Sequence, residues 1–181
     1  MLVHPEYVQI RLISSAGHGL EQVRVDRHGE ELVQVNNANL QEKGHYSYVF
    51  DTLRLKPGDV RLSPIVINHE QGAHSGEGKP TLHVSTPVAD RSGQVFALIV
   101  INIDLDQLFA QLQADLPEQY QVYLSNRWGD LLIHPDHRRT FGFDQGRRIF
   151  IQDEFPKVRE LLTDDKHNSL VSRSVEQERQ D

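Results

Sequence analysis

The sequence predicts an α+β fold: an antiparallel sheet flanked by helices, arranged as one nearly complete lobe followed by a partial second one. Three observations carry this. Short runs rich in β-branched residues alternate with clusters of turn residues, and residues 105–116 show helical spacing of their apolar positions. A strand, Ser-led turn, strand pattern at residues 10–25 returns at residues 122–134, as expected of two related lobes in tandem.

In chain order, residues 7–13 alternate, Ser14 to Gly19 supply a turn, and residues 23–25 resume an extended pattern, which together predict a hairpin. Residues 36–55 open with Asn-rich capping chemistry and stop at Lys56-Pro57-Gly58, predicting a helix with an irregular middle at Gly44. Residues 59–67 form a second extended run, and residues 68–79, with Gly72, Gly76 and Gly78, are expected to loop out. Residues 81–88 and 94–103, joined by a turn at Ala89 to Gly93, predict the central hairpin, whose apolar run 96–103 is expected to be core. Leu105, Leu108, Phe109, Leu112 and Leu116 then lie at amphipathic spacing, with Asp104 or Asp106 near the start and Pro117 beyond the end.

The pattern restarts with strands at 120–125 and 131–133 around the turn Asn126-Arg127-Trp128-Gly129-Asp130, where Trp128 is read as a hairpin anchor rather than a ligand platform. Residues 138–151 read as loop, 154–162 as a short helix interrupted early by Pro156, and the last dozen residues as a polar tail. The lobes are assigned to residues 1–113 and 114–181.

Composition narrows the function classes. Nineteen basic against 26 acidic residues give a formal net charge of −7 with no Lys/Arg-dense run, so nucleic acid is not an expected partner. The lack of cysteine removes thiolate nucleophiles and cysteine-ligated zinc, and leaves the compartment open. No stretch approaches the ~20 apolar residues that span a bilayer, and Met1 to Pro5 does not have the features of a signal peptide.

The run Tyr7 to Ile13, Leu40-Gln41-Glu42-Lys43, the turn Thr86 to Gly93 and His134-Pro135-Asp136, taken in this order, resemble the tandem Cache (PDC) sensor regions that lie outside the membrane in bacterial histidine kinases, diguanylate cyclases and chemoreceptors. Tyr7-Val8-Gln9-Ile10-Arg11-Leu12-Ile13 resembles the family's first hairpin strand, and Leu40-Gln41-Glu42-Lys43 with Tyr46 and Tyr48 resembles its LQ-x-K helix. Asp59 to Pro64 and Ile67 to Gly72 resemble the strand and loop leading to the central hairpin, and Thr86-Pro87-Val88-Ala89-Asp90-Arg91-Ser92-Gly93 resembles that hairpin. Tyr123 to Asn126, Gly129-Asp130, His134-Pro135-Asp136, Phe141-Gly142-Phe143 and Asp153 to Pro156 contribute the second lobe. The chain departs from the pattern at the first turn, which has no acidic residue, at Ala97 in place of glycine, and at Arg61 in place of tyrosine.

The resemblance implies PAS-like lobes, membrane-distal and membrane-proximal, of a periplasmic sensor with no catalytic activity and no cofactor. It also implies attachment to the inner membrane through transmembrane helices absent from this chain, and an output domain such as a two-component histidine kinase. A homodimer is implied for the full receptor; a monomeric fragment is the alternative, because the long N-terminal helix that often mediates pairing has no counterpart here.

Strand parity then places the ligand. Gln9 and Arg11 share a face, as do Arg61 and Ser63, and Thr81, His83 and Ser85. In a PAS-like lobe such a stripe lines a small cavity under a covering segment, here residues 43–51 with His45, Tyr46 and Tyr48. Arg11 and Arg61 suit a carboxylate-bearing small molecule. The ligand-binding set is therefore Arg11, His45, Tyr46, Tyr48, Arg61, Ser63, His83 and Ser85; the bland alternative is a polar stripe facing solvent.

Other constellations are weaker. His69 with His74, or His134 with His137, has only Glu70 or Asp136 as a local helper, so no metal site is expected. Gly76-Glu77-Gly78-Lys79-Pro80-Thr81 fails as a phosphate loop because Ala73 stands where the first glycine must be. A hydrolase using His83 with Ser85 or Ser63 has no third orienting group. The reading of a different class that stays open is a periplasmic protein-interaction module with no small-molecule ligand.

Overall fold

Backbone pairing begins with the first hairpin, because β-branched residues on a pleated strand pack against their cross-strand neighbours. The computed structural model describes residues 1–68, 78–163 and 169, and the chain divides into two units, Met1–Leu112 and Gln113–Asp181.

The first unit holds β1 (Tyr7–Ser14), β2 (Glu21–His28), β3 (Glu31–Gln34), β4 (Arg61–Leu62), β5 (Val66–Ile67), β6 (Pro80–Ala89) and β7 (Val95–Asp104). They form one antiparallel sheet in the order β3-β2-β1-β7-β6-β4, with β5 also paired to β6. Helix α1 (Ser47–Thr52) lies against the inner face, where Ile13, Tyr48, Val49, Leu98 and Val100 make the core. Burying each such apolar side chain stabilises the fold by roughly 1.5–3 kcal/mol. The opposite face, with Ile10, Leu12, Val25, Val84 and Ile101 half-buried and Val23, Leu62 and Ile99 exposed, is apolar and less covered.

Residues 36–55 depart from the expected long helix. Only α1 is α-helical, preceded by a 3-10 turn at Asn37–Asn39. Between them the backbone runs extended beside the first turn: Glu21 N–H donates to Gln41 O, Lys43 N–H to Gly19 O and Gly44 N–H to His18 O, at 3.0, 2.9 and 2.8 Å. Those bonds between segments distant in sequence replace the i to i−4 ladder. Gly44 is thus a point of close approach, since a Cβ there would stand 2.5 Å from His18 O.

The run at 59–67 splits into β4 and β5 around Pro64, which has no N–H to give a ladder. The apolar run 96–103 is not all core: Phe96 and Ile99 are exposed, while Ala97, Leu98 and Val100 are buried. The expected loop at 68–79 lies mostly outside the described residues, as does most of the polar tail.

Helix α2 (Asp106–Ala114) follows β7, and Asp104 Oδ1 accepts the Asp106 N–H at its start. Leu105 and Phe109 are buried, but Leu108, Leu112 and Leu116 are exposed.

The second unit has β8 (Leu124–Ser125) paired with β9 (Leu131–Ile133), then α3 (Ile151–Glu154) and α4 (Arg159–Thr163). Pro156 opens a 3-10 turn between the two helices. Asn126 Oδ1 accepts the N–H groups of Trp128 and Asp130, and Gly129 takes φ +91° to close the hairpin. Arg148 donates twice to the buried Asp130, and those hydrogen bonds hold its carboxyl below the usual range. Trp128 does not anchor the hairpin core: it is 46% exposed, with the Arg127 guanidinium 4.4 Å from its ring centre.

Candidate functional site

Cross-strand partners share a face, so the register of the first unit sorts its inner side chains into rows. Arg61 opposes Ser85, Ser85 opposes Val100, Val100 opposes Arg11, and Arg11 opposes Arg24. The next row reads His83, Asn102, Gln9, Asp26, and beyond it Thr81 opposes Asp104. Gln9, Arg11, Thr81, His83, Ser85 and Asn102 are all buried rather than facing solvent.

Helix α1 meets these rows through polar side chains. Arg11 Nη1 donates to Tyr48 Oη at 2.8 Å, and the Tyr48 ring lies parallel to His83 with centres 4.5 Å apart. Thr52 Oγ1 donates to Tyr48 O at 2.6 Å; its single hydrogen is then committed, so Ser85 Oγ donates to Thr52 across the other 2.6 Å contact. Arg61 Nη2 donates to Asp51 Oδ2 at 2.7 Å. Ser63 Oγ accepts the His83 backbone N–H at 2.9 Å and stands 3.3 Å from His83 Nδ1.

Tyr46, Tyr48 and His83 form a stack of rings, with His45 tilted against its Tyr46 end. Tyr46 lies 5.5 Å from Tyr48 and 4.1 Å from His45, with Lys43 Nζ 5.4 Å from the Tyr46 ring centre. His45, at the end of the stack, is the one exposed residue of the eight expected; Tyr46, Arg61 and Ser63 are half-buried and the others buried.

Several residues of this face were missed by sequence reasoning. Glu21 is wholly buried beside Arg11, with Oε1 3.4 Å from Arg11 Nε, and its other oxygen accepts the Gln41 N–H. Asn102 Nδ2 donates to Gln9 Oε1, and Gln9 Nε2 donates to Asp26 Oδ1. Burial alone would raise the Asp26 carboxyl, but hydrogen bonds from Arg24 and Gln9 more than reverse this and leave it below its usual range. Asn102 carried a legible signal, an amide at an inward position of an apolar strand; the chain-distant Glu21 did not.

Open volume lies beside the packed cluster. A cleft of about 370 Å³ is lined by Gln9, Arg24, Asp26, Lys79, Thr81 and Asp104 among others, and a second of about 560 Å³ adjoins Arg24, Asp26 and Gln41. Among the described residues no three His, Asp or Glu side chains converge as a metal would require, and His134 is instead engaged by Glu154 and the Asp136 N–H.

A family model described as the bacterial histidine kinase sensor domain matches residues 4–171. The chain belongs to this family. The family is one of sensors, and no catalytic family is indicated for this sensor domain. No curated protein sequence matches it.

Solved structures share the fold at low identity. The extracellular domain assigned to the histidine kinase vpHK1S-Z8 is 17% identical with a TM-score of 0.66, over 87% of this chain and 57% of that one. A domain assigned to a sensory box/GGDEF family protein from Vibrio parahaemolyticus is 19% identical with a TM-score of 0.69, over 86% and 58%. The ligand-binding domain of the Pseudomonas aeruginosa PAO1 chemoreceptor PctC, solved with GABA, is 15% identical with a TM-score of 0.52, over 84% and 57%. The sensor domain thus spans under three-fifths of the length of these relatives and shares their α+β, PAS-like architecture. Among its described residues no helix is long and apolar enough to cross a membrane.

Proposed function

We propose that this sensor domain is the periplasmic ligand-binding region of an inner-membrane receptor and that its first unit holds a small organic molecule bearing a carboxylate. The ligand-binding residues are Arg11, His45, Tyr46, Tyr48, Arg61, Ser63, His83 and Ser85. Residues 1–113 act as the membrane-distal lobe and 114–181 as a partial membrane-proximal one. Ligand entry shifts the population between two placements of α1 on the sheet, and transmembrane helices outside this chain carry the difference to an output domain, with the full receptor working as a homodimer.

One observation carries the reading: a row of buried polar and charged side chains, Arg11 and Ser85 among them, runs under α1 where apolar packing would be cheaper. Buried polar groups that are retained beside an open cleft are a mark of small-molecule sites. The GABA held by PctC is a molecule of the size and charge that such a site would take.

A thermal-shift screen with carboxylates and amino acids tests this. A ligand at one hundred times its Kd stabilises the native state by about 2.7 kcal/mol. The expected result is a rise of several degrees with at least one compound, lost in Arg61→Ala and Tyr48→Ala. No rise with any compound, or equal binding by both variants, would overturn the proposal.

The apolar outer face, with Val23, Leu62 and Ile99 exposed, favours a second reading as a protein-interaction module. Binding of a periplasmic protein with no small-molecule response would support it instead.

A further inference from the structure

We propose that the apolar outer face of the first unit is the surface through which two copies of the chain pair, sheet against sheet. This rests on the homodimer put forward above, names its contact, and requires no ligand.

The cross-strand register makes the face continuous. One row crosses five strands as Leu62, Val84, Ile101, Ile10 and Val25, and the next reads Thr86, Ile99, Leu12 and Val23. None of these side chains is buried, and Leu62, Val23 and Ile99 are 62%, 40% and 38% exposed. Leu82 and Ile103, paired and half-buried, extend the face by a third row. With strands about 4.8 Å apart and same-face neighbours about 6.8 Å apart, five strands and three rows outline about 500 Å². Contiguous apolar patches of that size on a soluble chain mark interaction sites.

Two observations select a second copy as the occupant. The chain carries a formal net charge of −7, so two copies repel except where neither presents charge, and neither of the two central rows holds an ionisable side chain. A two-fold contact also needs a surface that complements itself, which rows of branched aliphatic residues do when two twisted sheets stack face to face. Two such outlines, with their side-chain relief, remove about 1,200 Å² from water, the lower limit of a stable interface. The dimer is therefore weak, with a Kd in the micromolar range.

Sedimentation velocity over about a hundred-fold range of chain concentration tests the pairing. The expected result is a monomer that passes to a dimer as concentration rises. Ile99→Glu buries a charge from each copy in the contact and should raise the Kd about ten-fold or more. Val23→Glu, at a position as exposed as Ile99, serves if Ile99→Glu lowers the melting temperature. Because the chain has no cysteine, Ile99→Cys and Ser47→Cys each carry a single thiol, the second at an exposed position of α1 on the other side of the sheet. A short bismaleimide should join two copies at residue 99 and not at residue 47.

A dimer left intact by both glutamate variants, or joined as readily at residue 47, would overturn the face while the homodimer stands on another surface. A monomer at every concentration would overturn the face and leave the homodimer to regions outside this chain.

Discussion

Arg11 Nη1 and Tyr48 Oη meet at 2.8 Å, a buried link between β1 and α1 across 37 positions of sequence. Tyr48→Phe keeps a ring to stack on His83 but takes away the oxygen that accepts the guanidinium. Depriving a buried charged donor of a partner costs about 1–3 kcal/mol. For a chain of this size that is a fall in melting temperature of roughly 2–4 °C per kcal/mol. Urea denaturation of the two proteins checks the figure; equal midpoints would mean that the contact contributes nothing.

Gly44→Ala addresses the backbone crossing at the first turn. The new methyl would press on the His18 carbonyl, a backbone atom that cannot rotate away. Overpacking of this kind costs about 1–3 kcal/mol. Ser47→Ala, at an exposed neighbouring position, should change stability far less, and thermal melts of both variants test the contrast.

These two positions show what the sequence could and could not disclose. The long strands β1, β6 and β7 and helix α2 were legible because periodicity and turn residues agree over eight or more residues. Residues 36–55 were not, because their backbone partners lie in the turn at His18 to Glu21, and propensity carries no information about such distant pairing. Strand β3, only four residues long, has too short a pattern to announce itself. In the site, parity alone grouped Gln9 with Arg11 on one strand and Thr81 with His83 and Ser85 on another, since side chains alternate whatever the partner strand; that the two groups share a face of the sheet came from the register. Glu21 escaped the same reasoning: its strand was expected to resume only at Val23, so it had no assigned face.

Acid stability should depend on Asp26. Its carboxyl is held below its ordinary 3.8 in the fold, so the unfolded chain binds the proton more readily. The contribution is therefore fully present above about pH 4 and is lost as pH falls through the lower native value. Asp106 works in the opposite sense, because burial and the nearby Asp104 raise its carboxyl. Asp26→Asn should melt lower than wild type at pH 6 and approach it near pH 3. A constant difference between the two curves over that range would contradict the assignment.

In the second unit, Asp130 is almost wholly buried and receives both Arg148 bonds together with the Asn126 amide. Asp130→Ala removes all three and should cost about 1–3 kcal/mol, toward the lower end because Arg148 is half exposed. Faster hydrogen exchange at Leu131 and Ile151, with the first unit unchanged, is the expected readout; unaltered exchange there would show that the hairpin holds without the carboxylate.

The central claim is that a small molecule sits on the inner face of the first unit, and the most direct test is a crystal structure with the most stabilising compound from the thermal-shift screen. Ligand density is expected between the segment 43–51 and the rows of Arg11 and His83. Density only in the second unit or on the apolar outer face, with the inner face unchanged, would contradict it.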